Sequence, residues 1–541
     1  MSGPPVPAAA WDRILASPRL GLTLVTAVLL LTFFWGLGGP PLYDLDEGAF
    51  TEATREMIAS GNYITPHKDG EPRYDKPVLI YWLQAASVRL LGLNELALRL
   101  PSALAASAWV LALWGFVRAR LDTPTATVAA LTMALSLQVS IIAKAAVADA
   151  VLNLFIALTF FEIYRYSLKP RGAPALRAYL WMGLGFLTKG PVAVFFPVVV
   201  SLMFFLSRGE GRALWRATLM PLGWLIFLAV AGPWYLAVYL DSGPGFFESF
   251  FLKHNAGRFG GAIHGHSGSL FYYFLVLPLI LLPFTGWFLR LLPTLRAGWA
   301  DPLDRFLWLW FLAVFVFFSF SGTKLPHYML YGATPLFILM ARHRELLASR
   351  WLAFAPALGF LALLVIVPDA LPLIPLQEDR PHQAAMLAEG LRLLDMDYRM
   401  WTGIALVLAL GLALLGTGRI WQRLLLIGLV QTVVVYGALT PRVLEVLQGP
   451  VKEAGLLAKR LDLPTVVYRT SMPSFSVYRE AITPQVTAER PPAVGELVFL
   501  RIDRLESLGQ ERPGLAQEVI FRRGPVALVR LGTATEPPAG P

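Results

Sequence analysis

Long apolar runs recur between residues 20 and 440, many near the ~20 residues that a helix needs to cross a bilayer. Loops and open sheet edges cannot face lipid, so these runs predict helices. Candidate spans start near Leu20, Leu96, Thr125, Val147, Arg177, Pro191, Ala217, Ser269, Leu303, Tyr328, Arg350, Arg399 and Gln422. The pattern predicts a polytopic all-α membrane protein of about thirteen transmembrane helices. The first run, residues 21–37, follows Arg13 and Arg19 and lacks a small-residue cleavage site. It reads as a retained span, not a removed signal peptide.

Polar stretches divide the rest. Residues 38–95 mix glycine, proline, acids and aromatics, with amphipathic helices expected at 50–60 and 78–92, lying at the interface. Two further polar stretches are residues 241–268 and 368–398, the latter without evident chemistry. Beyond Thr440 the spacing changes. Residues 451–461 have helical periodicity, and 465–469, 497–502 and 519–521 read as short strands. This divides the chain into a membrane domain at 1–440, a small soluble α/β domain at 441–532 and a disordered tail at 533–541.

Composition agrees with this picture. The chain has 541 residues, is 56% hydrophobic and only 15% charged, against ~25% charged for an ordinary soluble domain. Its net charge of +10 does not call for nucleic acid, because the arginines fall in short loops between apolar runs. Alternate loops are basic: Arg118 and Arg120, then Arg165, Lys169, Arg171 and Arg177, then Arg208, Arg212 and Arg216. Arg290, Arg296 and Arg305, then Arg342, Arg344 and Arg350, and finally Arg419 and Arg423 continue the series. The positive-inside rule places these loops and the N-terminus in the cytoplasm, and an odd number of crossings places the C-terminal region outside. With no cysteine, disulfides and thiolate metal sites are excluded.

The unusual polar residues gather on the outer face. Tyr43-Asp44-Leu45-Asp46-Glu47 puts three carboxylates just beyond the first span, and Tyr74-Asp75-Lys76-Pro77 follows thirty residues on. Carboxylates at such a place activate a hydroxyl or hold a metal, and a lysine holds a phosphate as a point charge. Asp69 and Glu71 read as solvated turn residues. Lys144, Asp149, Lys189 and Lys324 lie near span ends, where ionisable groups are costly and where long lysines also snorkel. His254, Asn255 and Arg258 lie in the second polar stretch, with His264 and His266 after them. Asp75 and His254 offer two ligands for a divalent metal without the spacing of a metal motif. Among these, the cations suit a phosphate or pyrophosphate and the acids suit a nucleophile. No glycine-rich nucleotide loop opens an αβ unit, so the activated donor for an outer-face enzyme would come from the membrane.

Several of these motifs together resemble one family. Asp46-Glu47-Gly48 through Arg55-Glu56-Met57, Ser60-Gly61-Asn62-Tyr63-Ile64-Thr65-Pro66 and Asp75-Lys76-Pro77 with Tyr81-Trp82 resemble the first periplasmic loop of the ArnT-like glycosyltransferases. These are the aminoarabinose transferases and their relatives, akin to the protein O-mannosyltransferases of the GT-C fold. Arg99-Leu100-Pro101-Ser102, Thr188-Lys189-Gly190-Pro191 and Gly322-Thr323-Lys324-Leu325-Pro326-His327-Tyr328 extend the likeness.

The resemblance implies a GT-C membrane domain in the bacterial inner membrane, a periplasmic C-terminal domain, and sugar transfer from a polyprenyl-phosphate carrier to a lipid or glycan acceptor such as lipid A. It implies Asp44 and Asp149 as catalytic acids. Asp46, Glu47, Lys76, Lys189, Arg258, Lys324 and Tyr328 would line the substrate site, with Lys76 and Arg258 on the donor phosphate. Asp75 and His254 fall where relatives hold a metal. Two departures bear on the sugar and the metal: Ala49-Phe50 stands where many relatives have Arg-Tyr, and Asp75 where many have Glu. A protein acceptor is the alternative within the class, and a lipid or sugar transporter the alternative outside it.

Overall fold

The computed structural model describes residues 6–251, 269–377 and 380–533. Among them, seven helices are long and apolar enough to cross a membrane: Glu95–Arg120, Asp149–Leu168, Pro221–Ser242, Pro302–Phe320, Arg350–Leu373, Met396–Leu414 and Ile420–Leu461. An eighth crossing arises if Thr123–Leu135 and Leu137–Ala143, bent by 70° at Ser136, form one span. Pro18–Phe34, Leu79–Leu91 and Val192–Ser207 are shorter apolar helices.

Proline explains why some apolar runs give shorter pieces. The run from Ser269 forms Tyr272–Ile280 and Thr285–Leu291, with Pro283 between them. The run at Tyr328 begins as a 3₁₀ turn, Pro326–Gly332, and continues as the nine-residue helix Thr334–Arg342. Proline removes a backbone donor and clashes with the preceding turn.

The surface has the character of a bilayer protein. Pro221–Ser242 leaves Leu222, Leu225, Leu228, Leu236 and Leu240 all exposed on its outer side. An apolar face of this extent needs a partner or lipid. Inside, the large aromatics pack, and Trp109 satisfies its indole N–H on Thr334 Oγ1 at 3.0 Å.

The two interfacial helices expected in the first polar stretch are Asp46–Ser60 and Leu79–Leu91. A hairpin of His67–Lys68 against Glu71–Pro72 joins them. Its turn is Asp69-Gly70, with φ of 57° and 84°, the left-handed pair that a two-residue hairpin requires.

The last long helix, Ile420–Leu461, is continuous for 42 residues. At 1.5 Å per residue it is about 63 Å long, roughly twice the ~30 Å hydrocarbon core. The division expected at residue 440 therefore falls inside one helix. Beyond it lies a four-stranded sheet in the spatial order Thr465–Tyr468, Leu497–Arg501, Val526–Thr533, Leu515–Arg523. The first pair is parallel, with Val466 opposite Val498, and the others are antiparallel. Three strands match the sequence reading; the fourth, Val526–Thr533, sits between two of them. Val451, Ala454 and Ala458 of the long helix pack on one sheet face, where Phe475 stacks on Phe499 at 4.0 Å. The polar stretch at 368–398 forms the helix Pro381–Leu393, whose Glu389 reaches Arg523 at 2.5 Å. The tail from 534 lies outside the described residues.

Candidate active site

A cavity of about 1100 Å³ opens between the first polar stretch, several span ends and the C-terminal segment. Among the described residues its wall carries Lys68, Arg73, Lys76, Arg99, Lys144 and Lys189 against Asp46, Glu47, Asp75 and Asp149. The excess of cations favours an anionic ligand.

The acid-bearing turn enters through Asp46–Ser60. Asp46 and Glu47 occupy the first helical turn, where the helix dipole stabilises negative charge. Asp46 is exposed and lines the cavity. Glu47 is buried and engaged. It meets Arg99 Nε and Nη2 at 2.8 and 2.7 Å and accepts from the Ala146 and Tyr43 amides at 2.7 and 2.9 Å. Glu47 therefore organises the wall, which differs from the substrate contact expected of it.

Asp44 also differs from expectation. Its carboxylate is absent from the cavity wall and turns to the C-terminal segment. Oδ1 accepts from the Ser474 amide at 3.0 Å, and Oδ2 accepts from the Ser474 hydroxyl. Burial pushes its carboxyl up to about 7, against the lowering effect of the two Ser474 hydrogen bonds, with Glu47 and Asp69 adding repulsion. The reason is long-range: Asp44 meets a partner 430 residues away, while Asp46, two residues on, points into the cavity.

Deeper in the cavity Asp149 begins its helix and Lys189 ends its own, so each charge is favoured by its helix dipole. Their ion pair is 2.7 Å, and both are largely buried. The Tyr331 hydroxyl donates to Asp149 at 3.1 Å and accepts from Lys189 at 3.0 Å, and His327 Nε2 lies 3.8 Å from Asp149. The Lys189 ammonium also sits 5.8 Å from the Tyr328 ring centroid. Lys76 reaches the wall from the turn before Leu79–Leu91 and donates to its neighbour's carbonyl, Asp75 O, at 3.0 Å.

On another part of the wall, Lys144 donates to the Trp35 carbonyl and lies 4.5 Å over the Tyr436 ring. Burial first, then the Arg99 charge, bring its ammonium down to about 8.

Lys324 does not join this wall. Its ammonium caps the Pro302–Phe320 helix, donating to Ser319 O and Ser321 O at 2.7 and 2.8 Å. Nor is Asp69 a purely solvated turn residue, since it accepts from Ser476 Oγ at 3.1 Å. Arg258 and His254, with His264 and His266, lie outside the described residues.

One group of carboxylates among the described residues, Glu52, Glu56 and Asp69, has oxygens close enough for a metal. Arg55 already binds Glu52 through two bonds of 2.6 and 2.8 Å, so the group is closed as an ion pair. Asp75 does line the cavity and remains one hard oxygen donor of the pair expected for a metal. Residues not foreseen as site members are Arg99, His327, Tyr331 and the C-terminal Ser471 and Pro473, while Lys144, foreseen as a span-end lysine that could equally snorkel, stands on the wall. Arg99 and His327 stood inside recurring motifs; Ser471 and Pro473 gave no signal.

Residues 75–236 match the family of dolichyl-phosphate-mannose-protein mannosyltransferases. A protein of Aquifex aeolicus is 30% identical over 351 residues, covering 64% of this chain and 78% of its own. The undecaprenyl phosphate-alpha-4-amino-4-deoxy-L-arabinose arabinosyl transferase of Aeromonas hydrophila is 33% identical over 332 residues, and a second from Proteus mirabilis is 31% identical over 338. In both, the match spans 59% of the relative's length. The crystal structure of ArnT from Cupriavidus metallidurans bound to undecaprenyl phosphate superposes with a TM-score of 0.76 at 22% identity. It covers 95% of this chain and 98% of its own, a likeness of fold.

Proposed function

The chain belongs to the ArnT-like glycosyltransferases of the GT-C fold, and on that premise we propose that it transfers a sugar from a polyprenyl-phosphate carrier to an acceptor outside the cytoplasm. The observation that carries this reading is the cavity wall, which pairs cations for a departing phosphate with the exposed carboxylate of Asp46.

In this reading the acceptor oxygen attacks the anomeric carbon. The bond from that carbon to the carrier phosphate oxygen breaks, and polyprenyl phosphate leaves as the anion. Asp46 takes the acceptor proton, the role that Asp44 was expected to fill; support comes from its exposure on the wall. Lys76 and Arg258 hold the leaving phosphate, a charge that grows in the transition state and is therefore worth stabilising. The Asp149–Lys189 pair orients the sugar, with Tyr328 packing beside it. Inversion at the anomeric carbon follows from the resemblance. Asp75 with His254 would hold a divalent ion, which would add positive charge near the phosphate; no step depends on it.

The protein is placed in the bacterial inner membrane with the N-terminus cytoplasmic. Thirteen crossings are reached by counting, beside the seven long helices, the bent pair, Pro18–Phe34, Gly172–Lys189, Val192–Ser207, the pieces Tyr272–Ile280 and Thr285–Leu291 as one, and Pro326–Gly332 with Thr334–Arg342 as another. The C-terminal α/β region, residues 441–532, stands in the periplasm. Lipid A or a related lipid is the acceptor that the resemblance implies; the names of the relatives support an undecaprenyl-phosphate donor carrying 4-amino-4-deoxy-L-arabinose. Mass spectrometry of envelope lipids and glycans from cells with and without the gene tests this. Loss of a sugar adduct from a lipid is expected, loss from a protein would move the acceptor, and an unchanged envelope would overturn the reading. In the purified protein, Asp46→Asn and Lys76→Ala should each abolish transfer while folding persists.

A further inference from the structure

The C-terminal segment contributes more than a wall. We propose that Ser474 is a positioning residue: it anchors Asp44 and thereby fixes the turn that presents Asp46 to the cavity. This rests on the reading of Asp46 as the acid that meets the acceptor.

Four contacts between the two segments support it. Ser474 donates its amide and its hydroxyl to the two oxygens of Asp44. The Gln448 amide, oriented with its nitrogen toward the carboxylate, adds a donor to Asp44 Oδ2 at 3.3 Å and accepts from the Asp44 amide at 3.2 Å. Tyr478 accepts from the Leu42 amide at 2.7 Å and donates to Glu95 at 3.1 Å. Leu42, Val477 and Tyr478 share one buried apolar cluster with Val88 and Leu98. The short stretch 42–44 is thus held at both ends by the C-terminal segment.

The packing is built for this approach. A Cβ on Gly48 would lie 2.8 Å from the Ser474 amide nitrogen and would also strike the Asp44 carboxylate. Gly48 is the second residue after Asp46, so the close approach occurs within the helical turn that carries the acid. Ser471 and Pro473, three and one residues before Ser474, reach the cavity wall themselves.

Charge gives the anchor its dependence on Ser474. Among the described residues Asp44 makes no ion pair. The carboxylates of Asp69, from the hairpin, and of Glu47, on its own segment, repel it, and Asp46 and Tyr43 flank it. Ser474 and Gln448 approach as neutral donors. An ionised, buried carboxylate without a cation is costly unless hydrogen-bonded. Ionised Asp44 accepts both Ser474 hydrogen bonds; a protonated carboxyl gives up part of that acceptor capacity.

The experiment compares the full-length wild type with Ser474→Ala, Ser474→Thr and Gly48→Ala in membrane vesicles containing the cell's own donor and acceptor lipids. Hydrogen exchange and the pH dependence of sugar transfer are both read. Ser474→Ala should raise exchange of the 42–48 amides about tenfold while strand Leu497–Arg501 keeps its protection. Its transfer should fall, with the acidic limb displaced to higher pH, because the hydroxyl bond that lowers the Asp44 pKa is gone while the amide bond stays. Ser474→Thr should restore both, and Gly48→Ala should reproduce the exchange change. Unchanged exchange and an unshifted pH limb in Ser474→Ala would overturn the proposal. Asp46→Asn separates the two layers: full transfer in that variant overturns the reading of the site, whereas an inactive Asp46→Asn beside an unperturbed Ser474→Ala overturns only the positioning role.

Discussion

Arg99 grips Glu47 with two parallel hydrogen bonds while its remaining donors reach the carbonyls of Leu37, Pro40 and Pro41 at 2.7 to 3.1 Å. One side chain thus ties the segment that follows Pro18–Phe34, the acid-bearing turn and the Glu95–Arg120 helix together. Both partners are buried, Arg99 at 3% and Glu47 at 4% exposure. Removing one charge of such a pair leaves the other unpaired, at a cost of about 3–5 kcal/mol. Arg99→Ala should therefore lower the thermal midpoint in detergent by many degrees, and Arg99→Lys should restore little, because an ammonium lacks the planar fork. A midpoint unchanged in Arg99→Ala would mean that the clasp contributes nothing.

The Asp149–Lys189 pair, which also lines the cavity, makes a different prediction, since the proposed function gives it the sugar. Lys189→Met leaves Asp149 with Tyr331 and His327 as its partners. Transfer should fall about 10²–10³-fold, the scale seen when one charge-stabilising donor is removed. Asp149→Asn with Lys189→Met should recover much of the stability lost in Lys189→Met without recovering transfer, because no buried charge is then stranded. Recovery of transfer in the double variant would make the pair structural only.

The sequence carried the large features because they depend on local pattern. Apolar runs marked the long helices, and the short β-branched and aromatic runs 465–469, 497–502 and 519–521 marked three strands. How each run is cut did not follow, since Pro283 and the bend at Ser136 decide it. Asp46, Lys76, Asp149 and Lys189 were all foreseen on one face, and the structure gathers them around one cavity. What the sequence could not convey is which way a carboxylate turns. Asp44 and Asp46 look alike in Tyr43-Asp44-Leu45-Asp46-Glu47, and Ser474, far along the chain, distinguishes where their carboxylates face. Lys324 turns from the wall for a similar reason: a lysine beside a span end is equally suited to a phosphate and to the carbonyls of its own helix.

That contact of Lys324 yields a control. Lys324→Met removes the donors to Ser319 O and Ser321 O, which should cost about 1–3 kcal/mol for stranded carbonyls. Transfer per folded molecule should stay near the wild-type value. Lys76→Met should do the reverse, leaving the unfolding midpoint in place and abolishing transfer. Measuring both properties on both variants decides the assignment. A transfer defect in Lys324→Met without loss of stability would return that lysine to the phosphate site.

Lys144 gives the last prediction, one that requires no substrate. Its ammonium is brought down to about 8 by burial and by the Arg99 charge, whereas an ordinary lysine titrates near ~10.4. At pH 8 roughly half of the Lys144 side chains would carry a neutral, nucleophilic amine, against less than ~1% for an ordinary lysine. The cavity gives a small reagent access to it. With limiting acylating reagent at pH 8, Lys144 should therefore be modified faster than the exposed Lys459, as read by peptide mass spectrometry. Adding undecaprenyl phosphate should slow the reaction at Lys144 and not at Lys459, because an anion in the cavity favours the charged ammonium and covers it. Modification of Lys144 no faster than Lys459 would show that burial and Arg99 do not hold its proton loosely, and equal rates with and without the lipid phosphate would place the anion elsewhere.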